Sequence, residues 1–258
     1  MPTKMEAAIH AAGKAGELLR DRFKTNLVIK EKAPANLVTD LDTRSEEIIL
    51  STLRSLFPEI TAMTEESGTT HGIQTGERWI IDPLDGTTNY IHGYPFFSVS
   101  IALESKGQIV LGVVHDPIAG KFYSAEVGQG AYLNGERIHV SSTADLNQAL
   151  VGSGFPYYAW ETDDNNSRQW ARMIKKVVSL RCDGSAALDL CLVAAGVLDG
   201  FWEMDLEAWD LAAGSLIVQE AGGKVTLANG NPFTPYQRSV LASNVKLHND
   251  ILEIINFD

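Results

Sequence analysis

The chain opens with apolar residues at Met5, Ile9, Ala12, Gly16, Leu19 and Phe23, the three-and-four spacing of one helix face. This predicts an amphipathic first helix. Lys30 to Asn36 is polar, holds Pro34 and reads as a loop. Ile48, Ile49, Leu53 and Leu56 predict a second helix, with Pro58 after its end. Ile60 to Met63 has the length of a short strand. A polar loop from Gly68 to Gly76 separates it from an apolar run that begins at Trp79. From Phe97 the pattern turns to β. Phe97 to Leu103, Gln108 to His115 and Lys121 to Glu126 predict strands, and Asn134-Gly135 is a tight-turn signal. Connections this short imply an antiparallel meander.

After about Val140 strands and helices alternate. Ala149 to Ser153 reads as a strand and Gly154 to Asn166 as a loop holding Tyr157, Tyr158 and Trp160. A helix from Asn166 to Val178 follows, then a strand from Val178 to Arg181, a helix from Ser185 to Ala195 and a strand from Gly200 to Met204. A further helix starts near Trp209-Asp210 and is ended by Gly222-Gly223. Such alternation predicts a mostly parallel or mixed sheet. Residues 1–140 and 141–258 therefore read as two subdomains.

Charge narrows the picture. The 258 residues carry 21 Lys and Arg against 33 Asp and Glu, a net −12. That argues against a nucleic-acid surface and suits a protein that gathers carboxylates around cations. No signal peptide or membrane-length apolar run is seen, and Cys182 and Cys191 read as reduced, packed thiols, so a cytoplasmic protein without membrane contact is expected.

The chemistry concentrates at Trp79-Ile80-Ile81-Asp82-Pro83-Leu84-Asp85-Gly86-Thr87-Thr88-Asn89. A buried-strand pattern runs into two carboxylates stiffened by a proline. Two fixed carboxylates repel unless a cation lies between them, and hard oxygen donors suit Mg²⁺. Gly86 and Thr87 offer N–H groups where a phosphate would dock. Asp40 and Asp42 begin the second helix, Glu65 and Glu66 follow a strand, Glu203 ends one, and Asp210 begins a helix. Each has an ordinary reading as a cap or solvated turn; together they look like a cage built from distant segments. The six histidines do not pair at metal spacing, and no nucleophile elbow, Walker loop or dinucleotide fingerprint is present.

At these residues the chain resembles the inositol monophosphatase family. Trp79 to Asn89 is similar to one family signature, and Trp209-Asp210-Leu211-Ala212-Ala213-Gly214 through Glu220-Ala221-Gly222-Gly223 to a second. Leu37-Val38-Thr39 with Asp42, and Thr64-Glu65-Glu66-Ser67, match two shorter motifs. The resemblance implies an α/β (mixed α+β) fold, a layered α-β-α-β-α sandwich like that of fructose-1,6-bisphosphatase. It implies two to three Mg²⁺: Glu65, Asp82 and the Leu84 carbonyl on the first, Asp82, Asp85 and Asp210 on the second, and Glu65 with waters on a third. Asp42 and Thr87 would position the attacking water. Gly86 and Thr87 would hold phosphate, and Asp85, Gly184, Ser185, Ala186, Glu203 and Asp210 would contact substrate. The implied activity is hydrolysis of a small phosphorylated polyol, inositol 1-phosphate first, by a Li⁺-sensitive homodimer. The alternatives are histidinol phosphate, a 3′(2′),5′-bisphosphate nucleotide or fructose 1,6-bisphosphate as substrate, or a regulatory role with transcription machinery, as some bacterial relatives are thought to have. Asp205 and Glu207 depart from the family pattern, where a neutral or basic residue is more typical at Glu207; they read as solvated loop residues, the alternative being that they favour a cationic leaving group such as the amine of histidinol phosphate.

Overall fold

The computed structural model describes residues 2–33, 36–70, 76–163 and 165–256. Helix α1 (Lys4–Arg22) is capped by Thr3 and Glu6, which satisfy each other's backbone N–H groups. The stretch from Lys30, read as a loop, instead contributes to an antiparallel pair, β1 (Ile29–Ala33) and β2 (Asn36–Thr39). Its polar side chains hide the alternation that marks a half-buried strand. Helix α2 (Asp40–Leu56) follows directly, with Thr39 as its cap.

The next strands are β3 (Thr61–Thr64), β4 (Gly68–Thr70) and β5 (Glu77–Asp85). The polar loop expected from Gly68 thus begins as a strand, and 71–75 lie outside the described residues. A short helix, α3 (Thr87–His92), stands where only a turn was expected. The meander then runs β6 (Ser98–Ser105), β7 (Gln108–Asp116), β8 (Lys121–Glu126), β9 (Gly130–Leu133) and β10 (Glu136–Ile138), antiparallel throughout. With β5, β3 and β4 it makes a sheet of order β10-β9-β8-β7-β6-β5-β3-β4.

The second sheet starts with β11 (Leu150–Ser153). After α4 (Ser167–Met173), shorter than the predicted helix, come β12 (Ser179–Arg181), α5 (Ala186–Ala194), β13 (Gly200–Met204) and α6 (Ala208–Glu220). Strands β14 (Lys224–Thr226) and β15 (Ser239–Ser243) and helix α7 (His248–Ile255) close the chain, and the sequence reading assigned none of these three. The order is β12-β11-β13-β15-β14, parallel through β12, β11 and β13 and antiparallel at β15 and β14.

Five layers result. Helices α1 and α2 cover one face of the first sheet, around Leu19, Leu41, Ile49 and Trp79. Helices α5 and α6 lie between the sheets and touch both. Helices α4 and α7 cover the far face of the second, around Met173, Trp202 and Ile251. The middle pair explains itself from sequence: Ala-Ala-Leu-Asp-Leu-Cys-Leu-Val-Ala has no polar face, and a helix apolar all round is stable only when covered on both sides.

Candidate metal centre

Strand β5 sets the geometry. Asp82 stands opposite Ser100 of β6, and Asp85 opposite Ser98, so three steps on one strand match two on the other. This bulge accommodates Pro83, which has no N–H for a central ladder. It also has a directional effect. In a regular strand, residues three apart face opposite sides. The extra residue brings the Asp82 and Asp85 carboxylates onto one side. Ser45 of α2 locks the bulge by donating to the Pro83 carbonyl at 2.8 Å.

Asp82, Asp85 and Asp210 each place one carboxylate oxygen within 4.8 Å of the others. Asp82 Oδ1 accepts the Leu84 N–H at 2.9 Å. Asp85 Oδ2 accepts the Ala187 N–H at 2.9 Å and the Ser185 hydroxyl, with Ser98 at 3.4 Å. Asp210 Oδ2 accepts the Glu207 N–H at 2.8 Å. Each acid is thus held by the protein itself. Burial raises all three above the ordinary carboxylate range, Asp82 and Asp210 well above it and Asp85 to about 6; neighbouring acids push Asp82 and Asp210 further in the same direction. No Lys or Arg pairs with these three among the described residues. A dry cluster of hard oxygen donors with that much repulsion fits a divalent cation such as Mg²⁺.

Glu65 follows β3, and its N–H bonds the Ile81 carbonyl at 3.3 Å. It stands outside the closest trio, yet its charge acts on Asp82 and it lines the same cleft. Asp42 joins from α2. One oxygen serves the helix cap, accepting the Thr39 N–H at 2.8 Å and hydroxyl at 2.6 Å. The other lies 2.9 Å from Thr87 Oγ1, which is also 3.0 Å from the Leu84 carbonyl, so Thr87 donates to one of them at a time. Asp42 thus caps α2 through one oxygen and reaches Thr87 through the other. Asp40 has no such link; it pairs with Arg44 at 3.9 Å.

Above the acids opens a cleft of about 850 Å³, bounded by Glu65, Asp85, Gly86, Gly184, Ala186, Glu203 and Asp210. Gly86 has φ +96°, and a β-carbon there would meet the Gly184 carbonyl at 3.0 Å, so glycine lets the two segments touch. Asn89 fastens them, donating to the Phe96 and Asp183 carbonyls at 2.7 Å. Ser185 lies beneath, as the cap of α5. Glu203 has no hydrogen-bond partner among the described residues, and burial holds its carboxyl well above its usual range. Asp205 and Glu207 are not free loop residues: Arg238 Nη2 meets them at 2.9 and 3.0 Å. Nothing local in the sequence announces Arg238; the signal was two acids wanting a counter-charge. Cys182, expected to be packed, is exposed and lines the cleft.

Fold and site together define a two-sheet α/β protein with a carboxylate centre at the cleft between its layers. The chain belongs to the inositol monophosphatase family, whose model matches residues 2–257. It is 40% identical over 253 residues to an inositol-1-monophosphatase of Mesorhizobium japonicum, covering 97% of this chain and 95% of that one. It is 40% identical over 261 residues to the Nus factor SuhB of Pasteurella multocida, covering 99% and 96%. The crystal structure of the extragenic suppressor protein suhB from Bartonella henselae superposes with a TM-score of 0.92 at 38% identity, covering 98% of each chain.

Proposed function

We propose that the chain is a Mg²⁺-dependent phosphomonoesterase acting on a small phosphorylated polyol, inositol 1-phosphate or a close analogue. The observation that carries this reading is the convergence of Asp82, Asp85 and Asp210, with no cationic side chain paired to them among the described residues, beside the Asp42–Thr87 pair. Glu65, Asp82, Asp85, Asp210 and the Leu84 carbonyl would hold the ions, two to three of them. Mg²⁺ held there would supply positive charge against the phosphoryl group and lower the pKa of a water, favouring the hydroxide form as nucleophile. Asp42 keeps one oxygen on the Thr87 hydroxyl, so Thr87 presents its lone pair to the attacking water and passes its own proton to Asp42. The Gly86 and Thr87 N–H groups face phosphate oxygens at the start of α3, where N–H groups have no helical partner. Glu203 accepts hydrogen bonds from the alcohol's hydroxyls, with Gly184, Ser185 and Ala186 forming the adjoining wall.

Charge supports a monoester. Among the described residues lining the cleft, seven are acidic and one basic, and that one, Arg238, is taken by Asp205 and Glu207. A second phosphate would find no free cation, which disfavours bisphosphate nucleotides and fructose 1,6-bisphosphate. Replacing Asp82→Asn should abolish Mg²⁺-supported release of phosphate from inositol 1-phosphate while circular dichroism stays unchanged. Retained turnover would refute the mechanism.

A second reading comes from kinship with a protein named as a Nus factor. If a cellular phenotype of deleting this chain were rescued by Asp82→Asn, a binding role would take precedence over hydrolysis.

A further inference from the structure

The segment from Gly154 to Asn166 contributes a wall of the cleft, and its construction is specific. Asn166, buried at φ +70°, donates to the Ser153 hydroxyl at 2.8 Å and the Gly154 carbonyl at 2.6 Å, and accepts the Trp202 indole N–H at 2.7 Å. Phe155 stacks on Trp170 with ring centres 5.3 Å apart. Both ends of the loop are therefore fastened to the second sheet and α4. Between them Tyr157 lines the cleft together with Glu65, Asp85 and Asp210.

Resting on the phosphatase reading, we propose that Tyr157 is a further substrate-contacting residue, its hydroxyl donating a hydrogen bond to an oxygen of the phosphate seated against those acids. The hydroxyl has no protein hydrogen-bond partner among the described residues, so its proton is available. A tyrosine phenol is neutral at working pH and carries one O–H donor. Tyr157 is 55% exposed, which places it at the rim of the cleft and not in the core.

The test compares wild type, Tyr157→Phe and Tyr158→Phe. Two readouts are taken: inorganic phosphate binding by calorimetry in saturating Mg²⁺, and kinetics on inositol 1-phosphate. Tyr157→Phe should weaken phosphate binding and raise KM by about tenfold each, with kcat within about twofold, as for a contact made equally in ground and transition states. Tyr158→Phe should change neither. Wild-type phosphate affinity in Tyr157→Phe overturns the proposal. A wild-type chain that binds phosphate without hydrolysing the ester overturns the phosphatase reading instead, and the phosphate measurement then judges Tyr157 alone. Failure of the wild type to bind phosphate overturns both.

Discussion

Glu203 and Gly154 meet so closely that their side chains are a joint choice. A β-carbon on Gly154 would lie 2.2 Å from Glu203 Oε1. Gly154→Ala must therefore push the carboxylate away from the cleft. The expected result is a KM for polyol phosphate raised about tenfold, from one misplaced hydrogen-bond acceptor, with Mg²⁺ affinity unchanged. Steady-state kinetics alongside Mg²⁺ titration checks both halves. At this scale the sequence was informative wherever chemistry and motif coincide, as at Asp82, Asp85 and Asp210, which the fold brings together. It was silent on Arg238 and Asn166, whose partners Asp205, Glu207, Gly154 and Trp202 are set by tertiary folding rather than by spacing. For Asp42 the choice between cap and catalytic acid was unreadable because a carboxylate has two oxygens and the structure uses both.

Elements with a strong period were readable. The first two helices and the meander carry enough repeats to declare themselves, and the short strands β11, β12 and β13 were readable from the predicted helices beside them. Strand β14 has three residues and β15 has five, too few for alternation to show, and no predicted helix lies between or after them to mark them out. Yet they hold a buried polar device. His248, at the start of α7, sits with Nδ1 2.8 Å from the Ser243 hydroxyl of β15 and Nε2 3.0 Å from the Thr226 hydroxyl of β14. Burial, with Lys224 adding to it, lowers the ring from 6.5 to about 4. The sign follows. Between pH 6.5 and about 4 the unfolded chain binds a proton that the folded chain refuses, so stability falls as pH drops through that window and levels off below it. Urea midpoints of wild type and His248→Gln, both saturated with Mg²⁺, should differ by this slope across the window.

For the whole molecule the same linkage runs the other way at the metal centre. Burial pushes the Asp85 carboxyl up from 3.8 to about 6, so the folded metal-free protein should hold an extra proton and lose stability as pH rises from about 4 to about 6. Mg²⁺ should remove that loss. At a hundredfold excess over its Kd it adds about 2.7 kcal/mol, which for a chain of this size is a rise in Tm of about 5–10 °C. Thermal melts with and without Mg²⁺ at pH 5 and 7.5 check this, and metal-free chelated protein supplies the baseline. We take the change near residue 140 as the division between two subdomains, with every strand of the first sheet before it and every strand of the second after it.

Asp85 has a consequence for that division. It grows from the first sheet, yet its Oδ2 is gripped by Ser185 and Ala187 at the head of α5. One side chain is thus both a rivet between the halves and part of the proposed metal centre. Severing the chain near 140 would strip the acid of its orienting donors, so the proposed activity should be absent from either fragment. A tilt of one half against the other would pull directly on this carboxylate.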